Sequence, residues 1–237
     1  LREGTSIEEL QRLCDVHSAL FHGSATDAQK LHAKDIQDQR LSAAAALIQI
    51  SGHPLQTFTL ENAALEKLIA RAKQVLENGT INDGSLNELR QIAIHYAKKG
   101  DLLYPHLKVQ YGISGPSAVM WTVDDEIRDE LNALAKQKDQ KETDAWKQRL
   151  NAVLTRMEEM IYKESNILFP NCALNFSEEE WYHIYRDAKD YAECFGIRGD
   201  SWEAAEAHLT DTASTADTMS AERAFTGSET RDRKSVV

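Results

Sequence analysis

Apolar residues return at helical spacing along most of the chain, and polar runs cut the pattern into blocks. Phe58, Leu65, Leu68, Ala72, Val75 and Leu76 predict a helix A from His53-Pro54 to Asn78-Gly79. Helix B is expected from Ser85, with Glu88 three residues on as a capping box, to Tyr104-Pro105, with Leu86, Leu89, Ile92, Leu102 and Leu103 inward. Helix C opens at Gly115-Pro116-Ser117 and carries Met120, Trp121, Ile127, Leu131 and Leu134 to the polar run Lys136 to Lys141. Helix D opens at Thr143 and runs through Trp146, Leu150, Val153, Leu154, Met157 and Ile161 to Phe169-Pro170. The four prolines, at 54, 105, 116 and 170, all sit where one of these patterns begins or ends. Four helices of about 20 residues with short connections predict an all-α chain built on an antiparallel four-helix bundle.

The flanks add elements. A first helix is expected from the capping residue Ser6 to Gly23, and the alanine-rich stretch between Ser24 and Gly52 reads as helix in preference to a connecting segment. Ser177 with Glu180 forms a further capping box, opening a helix through Trp181, Ile184, Tyr185 and Tyr191 that stops at Gly196. The chain thus divides into an N-terminal helical segment, 1–50, a bundle with its following helix, 51–198, and a polar segment, 199–237, expected to be disordered for want of apolar periodicity. Leu102-Leu103-Tyr104-Pro105 recurs as Ile167-Leu168-Phe169-Pro170, each expected to close the second helix of a hairpin.

Composition narrows the function classes. Among 237 residues the formal net charge of -11, without a long basic face, argues against nucleic acid. Cys14, Cys172 and Cys194 are too few and too far apart for a disulfide framework or a cysteine zinc site. No run approaches the roughly 20 apolar residues of a membrane span, and no secretory leader pattern opens the chain, so no membrane role and a cytoplasmic setting are expected.

Following the apolar stripes turn by turn brings out candidate chemistry. Each of the four helices carries a polar residue where the core should be: Glu61 or Asn62 on A, His95 and Lys99 on B, Asp124 on C and Glu164 on D. Hairpin pairing places them at similar heights. A buried carboxylate must meet a cation, another group or water, so the set reads either as a metal site of the kind helical bundles hold or as residues at a stripe edge reaching solvent. His53, before Pro54, completes a site from the rim or serves as a helix cap. Cys14 and His17, three apart, form a soft ligand pair or a buried cysteine beside a surface histidine.

Taken together, Leu13-Cys14-Asp15-Val16-His17, Gly52-His53-Pro54, Leu60-Glu61-Asn62, His95-Tyr96, Leu103-Tyr104-Pro105, Gly115-Pro116, Met120-Trp121, Asp124-Asp125-Glu126-Ile127-Arg128, Lys163-Glu164 and Asn166-Ile167-Leu168-Phe169-Pro170 resemble the hemerythrin-like (HHE) cation-binding superfamily, and within it the DUF438 proteins. The resemblance spans about residues 6 to 196. It implies a hemerythrin-like four-helix bundle with extra N-terminal helices and one C-terminal helix, non-haem iron, and a sensory role, since such proteins often continue into a PAS module. In the family, helices A and C each supply one histidine, and B and D each a histidine followed four residues later by a glutamate. On that pattern Asn62 stands first, His95 and Lys99 second, Asp124 third, and Met160 and Glu164 fourth. Only His95 and Glu164 match, which leaves oxygen carriage in doubt.

Two readings remain. In the first, His95, Glu164, Asp124, Glu61 and His53 hold one cation, iron first, with zinc or manganese as alternatives. In the second, Lys99 supplies the positive charge, no metal is bound, and function lies in contacts with a regulatory protein partner or a second copy. Nothing in the spacing favours an enzyme.

Overall fold

The structure, a computed structural model, describes residues 27–109 and 115–212. The expected helix from Ser6 to Gly23, with Cys14 and His17, lies outside the described residues. From Asp27 the alanine-rich stretch is helical, as expected: α1 spans Asp27–Ile48. Helix A is α2, Pro54–Asn78. Pro54 starts it at no cost because a first-turn residue needs no N–H partner, and His53, in extended conformation, accepts the Leu55 N–H at Nδ1 (3.1 Å).

Helix B is broken into α3, Asp83–Arg90, and α4, Ile92–Leu102. Its cap is Asn82, not Ser85: Ser85 donates its N–H to Asn82 Oδ1 at 2.8 Å. An asparagine outranks a residue three positions inside the helix because only the cap has the extended backbone that aims a side-chain acceptor at the free N–H groups. At the break, Gln91 Oε1 accepts the backbone N–H of Phe195 (2.6 Å), which sits at a left-handed φ of 55°. Helix C is α6, Gly115–Lys136. Helix D starts after the Thr143 cap as α7, Asp144–Lys163.

Prolines 105 and 170 do not end their helices. Helix resumes as α5, Tyr104–Val109, and α8, Phe169–Asn175. Ahead of Pro170 the chain widens into a π turn, Glu164–Leu168, in which Phe169 donates its N–H to the Glu164 carbonyl. Pro170 has no N–H to offer the carbonyl of Asn166 four residues back, and that carbonyl instead accepts from Gln37 Nε2 of α1 at 3.0 Å. A side chain from another helix thus repairs the break.

The bundle closes as a ring: α2 meets α3 and α4, these meet α6, α6 meets α7, and α7 meets α2. Leu55, Phe58, Leu65 and Ile69 face Leu86, Leu89 and Ile92, Met120, Ile127, Leu131 and Leu134, and Leu150, Val153, Leu154, Met157 and Met160 in one buried cluster. The inward row of α2 passes through Ile69, so Leu68 is only partly buried and Val75, near the helix end, is exposed. Trp121 is likewise 45% exposed, the row of α6 passing through Met120 and Asp124. α1 lies on α8 and α2, and α9, Glu178–Ala188, opened by the Ser177–Glu180 capping box, lies on α2 and α4.

The disorder expected from 199 onward does not hold for residues 199–212. Residues 203–212 are helical, with Trp202 and Ala205 buried. Two or three apolar anchors suffice because the backbones approach closely: Gly52 has φ +77°, and a Cβ there would lie 2.5 Å from Ser201 C and Trp202 N. So few anchors leave no sustained periodicity to detect. Among the described residues no helix is long and apolar enough to cross a membrane.

Candidate functional site

The polar residues on the four stripes converge, because each occupies the inward position of its own helix at matching height. Glu61, His95, Lys99 and Glu164 are 0% exposed, Asp124 4% and Lys98 6%, so the group sits in a dry interior. His95 lies between two carboxylates: Nδ1 is 2.8 Å from Glu61 Oε2 and Nε2 3.1 Å from Glu164 Oε2. Lys99 Nζ donates to Asp124 Oδ1 at 2.9 Å and also to Glu164 Oε1. Lys98 Nζ donates to Glu61 Oε1. Neutral donors complete the shell, Asn62 Nδ2 to Glu164 Oε2 (2.8 Å) and the Tyr104 hydroxyl to Asp124 Oδ2 (3.1 Å). The Tyr96 ring lies 4.1 Å from Lys99 Nζ, a cation–π contact that further holds the ammonium inside.

Electrostatics follow from this wiring. Ionised carboxylates only accept, so a histidine bonded to two of them must donate from both nitrogens and carry a charge. Burial alone would lower the His95 pKa, but Glu164 and Glu61 outweigh it and hold it above the ordinary value. Burial likewise opposes ionisation of Glu164, yet Lys99 and His95 bring it down to about 2. Glu61 is lowered against burial by His95 and Lys98. Asp124 is the exception: burial, with the Glu164 charge, outweighs Lys99 and the Tyr104 hydroxyl and pushes it up to about 6. Three carboxylates therefore face three cationic groups, Lys98, Lys99 and His95, and their formal charges cancel within the protein.

A metal ion fits this donor set poorly. Both ring nitrogens of His95 already donate to a carboxylate, every oxygen of Glu61, Asp124 and Glu164 already has a protein donor, and an ammonium stands between the two carboxylates that a cation would bridge. Asn62 Oδ1 and the Tyr96 hydroxyl, buried without a hydrogen-bond partner, are neutral oxygens. Among the described residues no group of three or more His, Cys, Asp and Glu is arranged to hold a metal.

His53 stands apart from the cluster. Its ring is packed between Trp181 and Trp202, each with its centroid 4.7 Å away, and burial lowers its pKa to about 4, so it is a neutral cap. Lys98 and Tyr104 escaped the sequence reading as partners. Lys98 is one position off the row Ile92, His95, Lys99, Leu102, yet lies three residues after His95, a spacing that places it on the same helix face. Cys172 and Cys194 are buried free thiols; burial pushes Cys194 up to about 12, with the Glu61 carboxylate beside it.

Comparison with known families adds two matches: the family of unknown function DUF438 over residues 1–27, and the hemerythrin HHE cation binding domain over residues 53–172. Among curated proteins nothing matches the chain. The matched stretch runs from the histidine cap of α2 to Cys172 in α8, taking in all six members of the buried cluster, and the chain belongs to the hemerythrin HHE cation binding domain family.

Proposed function

We propose that this chain is a hemerythrin-like regulatory module in which Lys98, Lys99 and His95 stand in for the metal. The observation that carries this reading is the position of Lys99 Nζ, shared between Asp124 and Glu164 at the place where the family pattern has a glutamate. A charge fixed to the backbone gives the interior the cation it needs without recruiting one from solution. The regulatory part is supported by how the N-terminal segment joins the bundle. The DUF438 match covers residues 1–27 and so reaches α1, and α1 grips the π turn that opens with Glu164. A protein partner or a second copy acting on that segment has a short mechanical route to the cluster.

The test is elemental analysis of protein produced in iron-rich medium, alongside a titration of the purified chain with Fe²⁺, Zn²⁺ and Mn²⁺. Well under one metal per chain, and no saturable uptake, is expected. One equivalent of iron that is lost in His95→Ala would overturn the proposal in favour of a cation held by His95, Glu164, Asp124 and Glu61, the second reading, which the family's description favours.

A further inference from the structure

One end of the charged cluster opens to a cleft of about 630 Å³ between the start of α2, α4, α9 and the segment 191–201. That volume lies within the range of small-molecule sites, roughly 300–1,000 Å³. Glu61 and Lys98 line it, and its walls include Pro54, Phe58, Tyr185 and Ile197. Hydrogen-bonding capacity there is unequal. Glu61 has one oxygen on His95 and the other on Lys98, so it has little left to offer a ligand's donors. Lys98 Nζ spends one of its three N–H groups on Glu61, and its side chain is 8% exposed. The Tyr185 hydroxyl is committed to Glu206 and to the Trp202 N–H. The acidic residues of the rim stand in solvent, Glu193 beside Arg198 and Asp200 bound by the Ser51 hydroxyl, where screening weakens them. What the dry end presents is an ammonium donor beside aromatic and aliphatic walls.

We propose that this cleft binds a small carboxylic acid with an apolar body, its carboxylate on Lys98 and its body against Phe58, Tyr185 and Ile197. The proposal rests on the reading above, because it makes the cleft the input of the module. A carboxylate on Lys98 competes with Glu61 for the same ammonium, and Glu61 is one of the two partners of His95, so occupancy alters the charge balance of the cluster without a metal.

Calorimetric titration of the full chain with benzoate, benzyl alcohol and inorganic phosphate tests it, on samples of measured metal content. Saturable benzoate binding is expected, about tenfold or more tighter than benzyl alcohol, as one charge-assisted hydrogen bond implies, with phosphate weaker than benzoate. Lys98→Gln should lose about that factor and Lys98→Arg should keep binding. Should Lys98→Gln fail to fold, Ala192→Trp decides, since it fills the exposed rim away from the cluster and must block benzoate. Benzyl alcohol binding as well as benzoate, unchanged binding in Lys98→Gln or Ala192→Trp, or phosphate binding in preference to benzoate would overturn the proposal. Metal-free protein that ignores benzoate sinks this inference alone, whereas metal-loaded protein sinks the reading it rests on.

Discussion

Replacing Lys99 by methionine keeps most of the side-chain volume and removes the charge together with the N–H groups that Asp124 and Glu164 accept. In the native protein the ammonium is 0% exposed and touches two carboxylates, one at 2.9 Å. At an effective dielectric constant of about 20 such a contact is worth roughly 6 kcal/mol before desolvation. Removing the ammonium's own desolvation recovers several kcal/mol, and breaking a buried pair nets a loss of about 3–5 kcal/mol. That is a large share of the roughly 5–15 kcal/mol that holds a domain together. The loss should depend on pH in a definite direction. Asp124 titrates near 6 in the fold against 3.8 as a free side chain, so it favours the folded state at low pH and this contribution fades as pH rises through 6. Without Lys99 its pKa moves higher still, and at pH 5 it is protonated and makes little demand for a cation. Urea denaturation of wild type, Lys99→Met, Asp124→Asn and the double variant should give about 3–5 kcal/mol for Lys99→Met at pH 7, about half of that at pH 5, and a partial rescue by Asp124→Asn. A Lys99→Met protein within about 0.5 kcal/mol of wild type at pH 7 would refute the argument.

Other substitutions probe separate parts of the structure. Lys99→Glu combined with Met160→His restores two residues of the family's ligand pattern and removes the ammonium, so zinc or iron titration should show saturable binding in this variant and none in wild type; equal uptake by both would contradict the assigned role of Lys99. His53 titrates at about 4 when folded against 6.5 as a free side chain, so it favours folding above pH 6.5 and this support is lost as pH falls towards 4. His53→Asn, which keeps a cap acceptor, should therefore cancel about 2 kcal/mol of the stability lost between pH 7 and 5, read from urea midpoints. Gln37→Ala leaves the part-buried Asn166 carbonyl without its side-chain partner at a cost of about 0.5–1.5 kcal/mol, and amide exchange should quicken across residues 164–169 more than in α7; uniform exchange would argue against the Gln37–Asn166 bond as what secures the turn. Gly52→Ala introduces a Cβ that meets the Ser201 and Trp202 backbone at 2.5 Å, so limited proteolysis should cut the chain after residue 198 with the bundle intact.

The bundle was legible because its helices are long, amphipathic and punctuated by proline and capping residues, and the centre of the cluster was legible for the same reason: polar residues interrupt four otherwise apolar rows at matching heights. Three features were not. Lys98 lies one position beside the row, where a lysine ordinarily snorkels to water, and the Glu61 carboxylate and the Phe58 ring across the helix interface draw it inward. Pro105 and Pro170 read as stops because proline breaks a regular helix, and the π turn and the Gln37 side chain that accommodate Pro170 come from geometry and from a helix over a hundred residues away. Helix 203–212 rests on Trp202, Ala205 and a glycine contact at Gly52, with too few apolar positions to make a pattern.

The π turn at Glu164–Leu168 carries one residue more than an α-helical turn would need. The widening takes up that surplus within the turn itself, so the helix after it keeps the angle around the axis that an uninterrupted helix would have. In regular α-helical geometry the same residue would swing everything after it by about 100°, turning Phe169 and Cys172 out of the core they now occupy and removing the face on which α1 rests. Deleting one residue between 165 and 167 would therefore close the turn and leave both halves of helix D facing as they do.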